Sequence, residues 1–173
     1  MSLTLWTIGH STRTIEQFVE LLTGQAIELL ADVRSYPGSR KYPHFNATPL
    51  ADALREAGIQ YAPYRELGGR RKPHPDSPHT VWRHAAFRGY ADYMDTPEFR
   101  AGLDRLFETA RDKRTAICCS EAVWWRCHRS MIADALKAEG TKVLHIMEGG
   151  KTTEHPFTSA AQLVNGRLWY GAE

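Results

Sequence analysis

Short apolar runs alternate with amphipathic segments along most of this 173-residue chain, and this alternation limits its fold more than any other feature. Continuous apolar runs are typical of strands buried on both faces, whereas apolar residues at helical spacing predict helices packed against such strands. Five runs predict strands: Leu3–Ile8, Ile27–Val33, Ile59–Tyr64, Thr115–Cys119 and Val143–Met147. The alternation therefore predicts an α/β fold, a three-layer sandwich with a mainly parallel five- or six-stranded sheet and helices on both faces.

Helix start signals and one long loop lie between these runs. Thr48-Pro49 and Thr96-Pro97 each place a capping threonine before a proline at the first helical position. Leu67–Thr80 has three prolines and no apolar residue after its first, which predicts a long polar loop, and such loops are commonly functional. In the tail, the pattern predicts a short helix over Ser159–Val164 and an edge strand over Leu168–Tyr170. We expect a single domain over residues 1–173.

The charge of the chain is unevenly distributed. With 22 Lys and Arg against 20 Asp and Glu, the formal charge is only +2. Residues 34–88 nevertheless hold ten basic and four acidic side chains, so that this segment carries +6 and the rest of the chain −4. The basic residues are Arg34, Arg40, Lys41, Arg55, Arg65, Arg70, Arg71, Lys72, Arg83 and Arg88.

Aromatic residues lie among these cations. Seven of the 18 aromatic residues fall in the same segment: Tyr36, Tyr42, Phe45, Tyr61, Tyr64, Trp82 and Phe87. Arginine interleaved with aromatic rings suits a phosphate-bearing partner, because guanidinium groups match phosphate oxygens and rings stack on bases. The alternative is a solvated basic surface above core aromatics, and the sequence leaves both interpretations open.

Several protein classes are disfavoured. No apolar run approaches the roughly 18 residues that a membrane helix needs, so we expect no membrane partner. The N-terminus has no basic stretch followed by a long apolar one, so we expect no secretory signal. Three cysteines cannot all pair within one chain, which favours a reduced, cytoplasmic setting. The oligomeric state is not indicated.

Polar and reactive residues follow the predicted strands. In open α/β sheets, ligands bind beyond the carboxyl ends of the strands. The segments at these ends are Gly9-His10-Ser11, Asp32-Val33-Arg34, Arg65-Glu66-Leu67-Gly68-Gly69-Arg70 and Cys119-Ser120-Glu121, followed by the helix entry Arg126-Cys127-His128-Arg129. We therefore expect a cleft at this edge of the sheet.

The helix entry places three side chains near this edge. His128 falls inside the apolar arc of the following helix and faces the sheet, either as a functional group or as a satisfied buried histidine. Cys127, beside a helix N-terminus and basic neighbours, has either a lowered thiol pKa or the role of a small apolar residue. Cys119 and Glu121 are placed to contact a ligand, although Glu121 could instead pair with Arg34 or Arg129. Cys118, which alternates with Cys119, is expected in the core.

Motifs for cofactors and metals are missing. Cys119, Glu121, Cys127, His128 and His10 could converge on a metal, but no Cys-x-x-Cys or His-x-x-x-His unit is present, and we expect neither a metal nor a cofactor. A phosphatase-type loop needs Arg six residues after Cys, where this chain has Trp124, Trp125 and Ala133. Neither a Gly-x-Gly-x-x-Gly nor a Walker loop is present, and Gly68-Gly69-Arg70-Arg71-Lys72 is only a weak anion-binding signal.

A series of motifs matches one known family in order. They are Thr7-Ile8-Gly9-His10-Ser11, Asp32-Val33-Arg34 with Pro37 and Ser39-Arg40, Gly58-Ile59-Gln60-Tyr61, Leu67-Gly68-Gly69-Arg70, Tyr90-Ala91-Asp92-Tyr93-Met94, Cys119-Ser120-Glu121, Cys127-His128-Arg129 and His145-Ile146. From residue 5 to about residue 156, the chain resembles the bacterial and archaeal family called domain of unknown function 488. The resemblance implies a cytoplasmic α/β domain and supplies no established reaction.

One segment departs from the family pattern. Members of this family often have a proline-containing, less bulky segment where this chain has Ala122-Val123-Trp124-Trp125. The two tryptophans are expected to cap the cleft, stack on a ligand or contact a partner chain.

The leading hypothesis is an enzyme that hydrolyses or transfers a group of a phosphate-containing substrate, a nucleotide or nucleic acid. His128 or His10 would be the general acid or base, because histidine titrates near neutral pH, while arginines would hold the anion and Glu121 and Asp32 would orient them. The candidate catalytic residues are His10, His128, Glu121, Asp32 and Cys127, and the candidate substrate-binding residues are Arg34, Arg40, Gly69, Arg70, Arg129 and Cys119.

Two alternatives use the same residues differently. A non-catalytic nucleic-acid or nucleotide-binding module would use the cleft without His128. A thiol-based redox or metal-responsive protein would be built on Cys119 and Cys127.

Overall fold

A six-stranded sheet forms the centre of the structure, a computed structural model that describes residues 3–35, 37–38 and 40–171. Its strands are β1 (Thr4–Gly9), β2 (Leu29–Asp32), β3 (Gln60–Pro63), β4 (Thr115–Cys119), β5 (Lys142–Ile146) and β6 (Thr152–Glu154). The helices are α1 (Ile15–Gly24), α2 (Ala47–Glu56), α3 (Ala85–Tyr93), α4 (Pro97–Asp112) and α5 (Arg129–Ala138). Tyr36 and Ser39, named in the sequence analysis, lie outside the described residues.

The strands are arranged in the order β3-β2-β4-β1-β5-β6. The first five strands are parallel to one another, and β6 is antiparallel to β5. This arrangement confirms the predicted three-layer α/β fold with a mainly parallel sheet. Within the described ranges, none of the helices combines the length and the apolar character that crossing a membrane requires.

Each face of the sheet has its own apolar core. Phe18 of α1 and Leu50 of α2 pack against Cys118 and its neighbours on one face. Residues of α3, α4 and α5 pack against Ile117 and Cys119 on the other. Because side chains alternate along a strand, Cys118 is fully buried beneath α1 and α2, as predicted, whereas Cys119 faces α5.

The strand order creates a crevice at the end of β4. This strand lies between β2 and β1, whose following helices α2 and α1 cover one face, whereas α5 follows β4 on the opposite face. Helices that leave adjacent strands in opposite directions open a crevice at the carboxyl ends, where α/β proteins bind ligands.

The long loop between β3 and α3 forms one wall of this region. As predicted, it has no helix or strand over residues 68–84. It is fastened to α3 because Asp92 accepts hydrogen bonds from His74 N (2.8 Å) and Ser77 Oγ (2.6 Å), and Tyr90 Oη donates to Leu67 O (2.8 Å). The loop thus has a defined position beside the crevice.

Three local predictions were wrong, whereas the Thr96 cap was confirmed. α2 begins at Ala47 with Asn46 as its N-cap, so Thr48 lies inside the helix. In the tail, no helix forms over Ser159–Val164; β7 (Gln162–Val164) and β8 (Arg167–Trp169) form a separate antiparallel hairpin instead of an edge of the main sheet. The reason is Asn165-Gly166, whose positive φ angles of 54° and 77° suit a tight hairpin turn.

A buried polar cluster fastens the tail to α5. Asp134 accepts hydrogen bonds from His155 Nε2 (2.8 Å), Thr158 N (3.0 Å), Thr158 Oγ1 (2.6 Å) and Tyr170 Oη (2.8 Å). The other nitrogen of His155 accepts from His145 Nε2 (2.8 Å), because its Nε2 already carries the proton donated to Asp134. These bonds satisfy a fully buried carboxylate, which is the condition for keeping it inside the protein.

Candidate active site at the end of β4

A cleft of about 880 Å³ opens where the strand order predicts a crevice. Eight candidate residues from the sequence analysis line it: His10, Arg34, Gly69, Arg70, Cys119, Glu121, Cys127 and His128. They come from the ends of β1, β2 and β4, from the loop after β3 and from the entry to α5. The chain therefore brings most of the expected residues together.

Three candidate residues do not line the cleft. Asp32 and Arg129 are each 1% exposed and lie behind its surface, where they act only through neighbouring groups. Arg40 is exposed and is not among the residues that line the cleft, so its contact with a substrate stays a prediction. Gly38 and Lys41, on either side of it, face the cleft instead.

Asp32 holds Arg34 in one orientation. Asp32 Oδ1 accepts from Arg34 Nε (2.9 Å) and Oδ2 from Arg34 Nη2 (2.8 Å), and Tyr61 Oη also donates to Oδ2 (2.6 Å). Burial is the largest influence and opposes the charged form of Arg34, but the hydrogen bond with Asp32 and the charges of neighbouring groups together outweigh it and raise the pKa of Arg34 above its usual value. A fixed guanidinium with Nη1 outside this pair is a preorganised donor for an anion.

His10 is a neutral imidazole beside Arg34. Its Nδ1 lies 3.0 Å from Ser11 O, and because a carbonyl only accepts, the neutral ring carries its proton on Nδ1 and its lone pair on Nε2. Burial, together with the charge of Arg34, lowers the pKa of His10 to about 4. The ring stacks on Phe45 with centroids 4.4 Å apart. At neutral pH His10 is therefore a base and not an acid.

His128 is the N-cap residue of α5 and is held by the backbone of the residue that follows β2. Its Nε2 lies 2.9 Å from Val33 O, so the neutral ring donates from Nε2. Burial lowers the pKa of His128 to about 4, and the charge of Arg129 adds to this effect. The expectation that this histidine titrates near neutral pH is therefore wrong, and the same correction applies to His10.

The two cysteines that line the cleft are in contact. Cys127 Sγ donates to Cys119 Sγ at 2.7 Å and accepts from Arg129 N at 3.5 Å. Burial alone would raise the pKa of Cys119, but the hydrogen bond from Cys127 and the charge of Arg129 lower it to about 7. Burial and the neighbouring Cys119 raise the pKa of Cys127, which disfavours the lowered thiol pKa and favours the other interpretation of Cys127, a small apolar residue.

Part of the lining of the cleft was not predicted from the sequence. His84, Ala86 and Phe87 reach the cleft because the loop over residues 68–84 folds back and brings the start of α3 to the opening. No spacing rule relates α3 to the strand ends. The one sequence feature that pointed to this part of the lining was the presence of aromatic residues in the basic segment. The basic segment over residues 34–88 agrees in part with each of its two interpretations. Arg34, Lys41 and Arg70 line the cleft, as a phosphate-binding surface requires, whereas Phe45 and Tyr64 are core aromatics.

The two tryptophans are positioned beside the cleft without lining it. Trp124 stacks on His145 with centroids 4.6 Å apart and planes 5° apart. Trp125 is 53% exposed. Val123 and Arg126, on either side of them, face the cleft instead, so neither tryptophan covers it as expected.

Metal ligation has no support in the geometry. In the part of the chain that the structure describes, no three or more His, Cys, Asp or Glu side chains are grouped to hold a metal ion.

Comparison with known proteins identifies the family. No curated protein and no solved structure matched the chain. The family model described as "Domain of unknown function DUF488" matched residues 14–136, which include Arg34, Cys119, Cys127 and His128. The match covers most of the chain and agrees with the order of its motifs, and the protein belongs to the DUF488 family.

Proposed function

We propose that this protein is an enzyme that binds a phosphate-containing substrate, a nucleotide or the end of a nucleic acid, in the cleft and hydrolyses it. The observation that carries the proposal is the side-chain composition of the cleft. Arg34, Lys41, Arg70 and Arg126 line it, whereas Glu121 is the one carboxylate among the described residues that do so. An excess of cations in a concave site favours an anion over a neutral ligand.

Rings beside these cations favour a nucleotide over inorganic phosphate. Tyr42, His84 and Phe87 line the same cleft as the arginines. A base stacks on such rings while its phosphate is bound by guanidinium groups.

Two residues that line the cleft have unusual backbone conformations of the kind found at functional sites. Ser11 and Arg70 both line it and have positive φ angles of 49° and 61°, which non-glycine residues rarely adopt. Such conformations persist where the surrounding structure enforces them, and they are concentrated at functional sites.

The chemistry would begin with a water molecule hydrogen-bonded to Nε2 of His10. His10 accepts a proton from this water as its oxygen attacks phosphorus, and Arg34 stabilises the charge that develops on the phosphate oxygens. As the new O–P bond forms, the P–O bond to the leaving group breaks, and the departing oxygen takes a proton from water. An anion bound beside His10 offsets the repulsion between Arg34 and the protonated ring. Binding should therefore raise the pKa of His10 and make it a stronger base in the complex.

His10→Gln should lower kcat by about 100-fold or more while leaving substrate affinity nearly unchanged, because Gln removes the base and keeps the cations. The measurement is phosphate release from nucleoside monophosphates and from p-nitrophenyl phosphate, with affinity from calorimetry. His74→Gln, at an exposed histidine outside the cleft, is the matched control and should keep full activity. Full activity of His10→Gln, or no binding of any nucleotide to the wild type, would contradict the proposal.

The pH profile should be unlike that of an ordinary histidine. Because the pKa of His10 is lowered to about 4, the ring is already the free base at pH 5, and kcat/KM should stay nearly constant from about pH 5 to pH 7. It should fall only as the pH approaches 4 and the ring becomes protonated. Initial rates at saturating and low substrate, with circular dichroism at each pH, test this. With a phosphodiester substrate, whose charge does not change over this range, a fall in kcat/KM centred near pH 6.5 in folded protein would exclude this role.

A non-catalytic nucleic-acid-binding module is the second candidate, favoured by the exposed cations Lys72 and Arg83 on the loop beside the cleft. Binding of a fluorescent oligonucleotide would then survive His10→Gln and His128→Ala. It would weaken with salt and with Arg70→Ala or Arg71→Ala, because phosphate contacts release counterions.

A further inference from the structure

A pair of thiols forms part of the cleft surface and has no role in phosphate hydrolysis. Cys119 and Cys127 are both free thiols that line the cleft, with Sγ atoms 2.7 Å apart. A disulfide requires an S–S separation of about 2.05 Å, so only a small displacement separates this pair from a bond. Two thiols that are close enough to react with each other therefore lie together at the wall of the cleft.

The second observation is that Arg129 is a buried cation with an incompletely satisfied guanidinium group. It is 1% exposed, and its Nε and Nη1 have no hydrogen-bond partner, while Nη2 donates to Ala122 O (3.1 Å). Among the described residues, no carboxylate forms an ion pair with it. It is also the first residue of α5, where the helix dipole adds positive potential. A buried cation in this position requires a nearby anion.

The thiolate of Cys119 meets this requirement. The charge of Arg129 acts on Cys119, and the S–H of Cys127 points at the same sulfur. Both interactions favour the ionised form of Cys119, while the pKa of Cys127 is raised. The pair therefore consists of one nucleophilic sulfur and one protonated partner.

We propose that Cys119 and Cys127 form a dithiol site that reacts with small hydroperoxides, with Cys119 as the attacking sulfur and Cys127 as the resolving thiol. The substrate class follows from access. Cys119 is 2% and Cys127 6% exposed, so a peroxide the size of hydrogen peroxide reaches the sulfur through the cleft, whereas a bulky disulfide would have to displace its walls.

The reaction is a two-electron oxidation of the pair. The Cys119 thiolate attacks one peroxide oxygen, an S–O bond forms and the O–O bond breaks, and the departing hydroxide or alkoxide takes a proton from water. The product is a sulfenic acid at Cys119. Cys127 Sγ then attacks this sulfur, the S–S bond forms and the S–O bond breaks. The hydroxide released accepts the Cys127 proton and leaves as water.

The proposal predicts which thiols disappear. One equivalent of hydrogen peroxide should consume two of the three thiols of the wild type, and peptide mass spectrometry should locate a Cys119–Cys127 disulfide. Cys127→Ser should stop at the sulfenic acid, trapped as a dimedone adduct on Cys119. Cys118→Ala is the matched control, because Cys118 is fully buried on the other face of the sheet, and it should react as the wild type does.

The ionisation of Cys119 gives a second readout. The titratable and charged groups around this site are Cys127, His128 and Arg129 at the start of α5, Glu121 after β4 and Tyr90 of α3, whereas Cys118 lies on the opposite face of the sheet. The rate of alkylation of Cys119 is measured against pH. The pH at which this rate is half-maximal should be higher in Cys127→Ser than in the wild type, because the S–H donor is lost. Arg129→Met should likewise move the midpoint of alkylation upward from about pH 7, because the nearby positive charge is lost. Arg129→Lys keeps this charge and should leave the midpoint near that of the wild type.

Some outcomes would overturn the proposal. These are three intact thiols after excess peroxide, a disulfide that includes Cys118, or undiminished peroxide reactivity in folded Cys119→Ser. If Cys119→Ser or Arg129→Met fails to fold, the location of the wild-type disulfide still decides. None of these measurements uses a phosphate substrate, so failure of the dithiol site and failure of the proposed hydrolase are distinguishable.

Discussion

Gly9→Ala should lower the free energy of unfolding by at least about 3 kcal/mol or prevent folding altogether. A methyl group at this position would overlap the backbone carbonyl of Glu121. Neither side of this contact can withdraw easily, because His10 N donates to Cys119 O (3.0 Å) and Ser11 N donates to Ser120 O (2.9 Å). These bonds hold the segment after β4 directly over the end of β1, and this close approach forms the floor of the cleft.

Gly24→Ala is the matched control for this substitution. Gly24 is the last residue of α1, and a methyl group there meets no atom within 4 Å. Because alanine is a better helix former than glycine, we expect the free energy of unfolding to change by no more than about 1 kcal/mol, toward greater stability. Urea unfolding followed by circular dichroism measures both variants. Equal midpoints for the two would contradict the close approach of β1 and the segment after β4.

The main features of the fold and the location of the site could be predicted from local signals. Strands buried on both faces require continuous apolar runs, so Thr115–Cys119 was predicted with its exact bounds. Once parallel strands are predicted, residues at their carboxyl ends must share an edge, which placed His10, Arg34 and Cys119 in one cleft. Both inferences depend only on the order of residues along the chain.

Features that depend on three-dimensional packing could not be predicted in this way. The helical phase gave a direction toward the sheet for His128, but it could not give the 2.7 Å contact between Cys127 and Cys119 or the lowered pKa of Cys119. The pKa values of His10 and His128 follow from their burial, which is set by packing from distant segments. Asn165-Gly166, in contrast, was a local hairpin signal that the helical interpretation of the tail overlooked.

Arg34→Met should both destabilise the protein and weaken phosphate binding. Asp32 is 1% exposed, and removing Arg34 leaves its carboxylate buried without its cation, which costs about 3–5 kcal/mol. Phosphate should bind at least about tenfold more weakly, because a charge-assisted donor is lost from the cleft. Either effect alone would be ambiguous, since a misfolded cleft also fails to bind.

The double variant Asp32→Asn, Arg34→Met separates the two effects. The amide that replaces the Asp32 carboxylate would still accept the hydrogen bond from Tyr61 Oη (2.6 Å in the wild type), and no charge would remain buried. We therefore expect the double variant to be more stable than Arg34→Met by about 2 kcal/mol or more. Its affinity for phosphate should stay as low as that of the single variant, because the guanidinium is still absent. Urea unfolding and calorimetry on the wild type, both single variants and the double variant complete the cycle. Recovery of binding together with stability would mean that Arg34 only supports the fold, whereas stability without binding assigns its guanidinium to the anion.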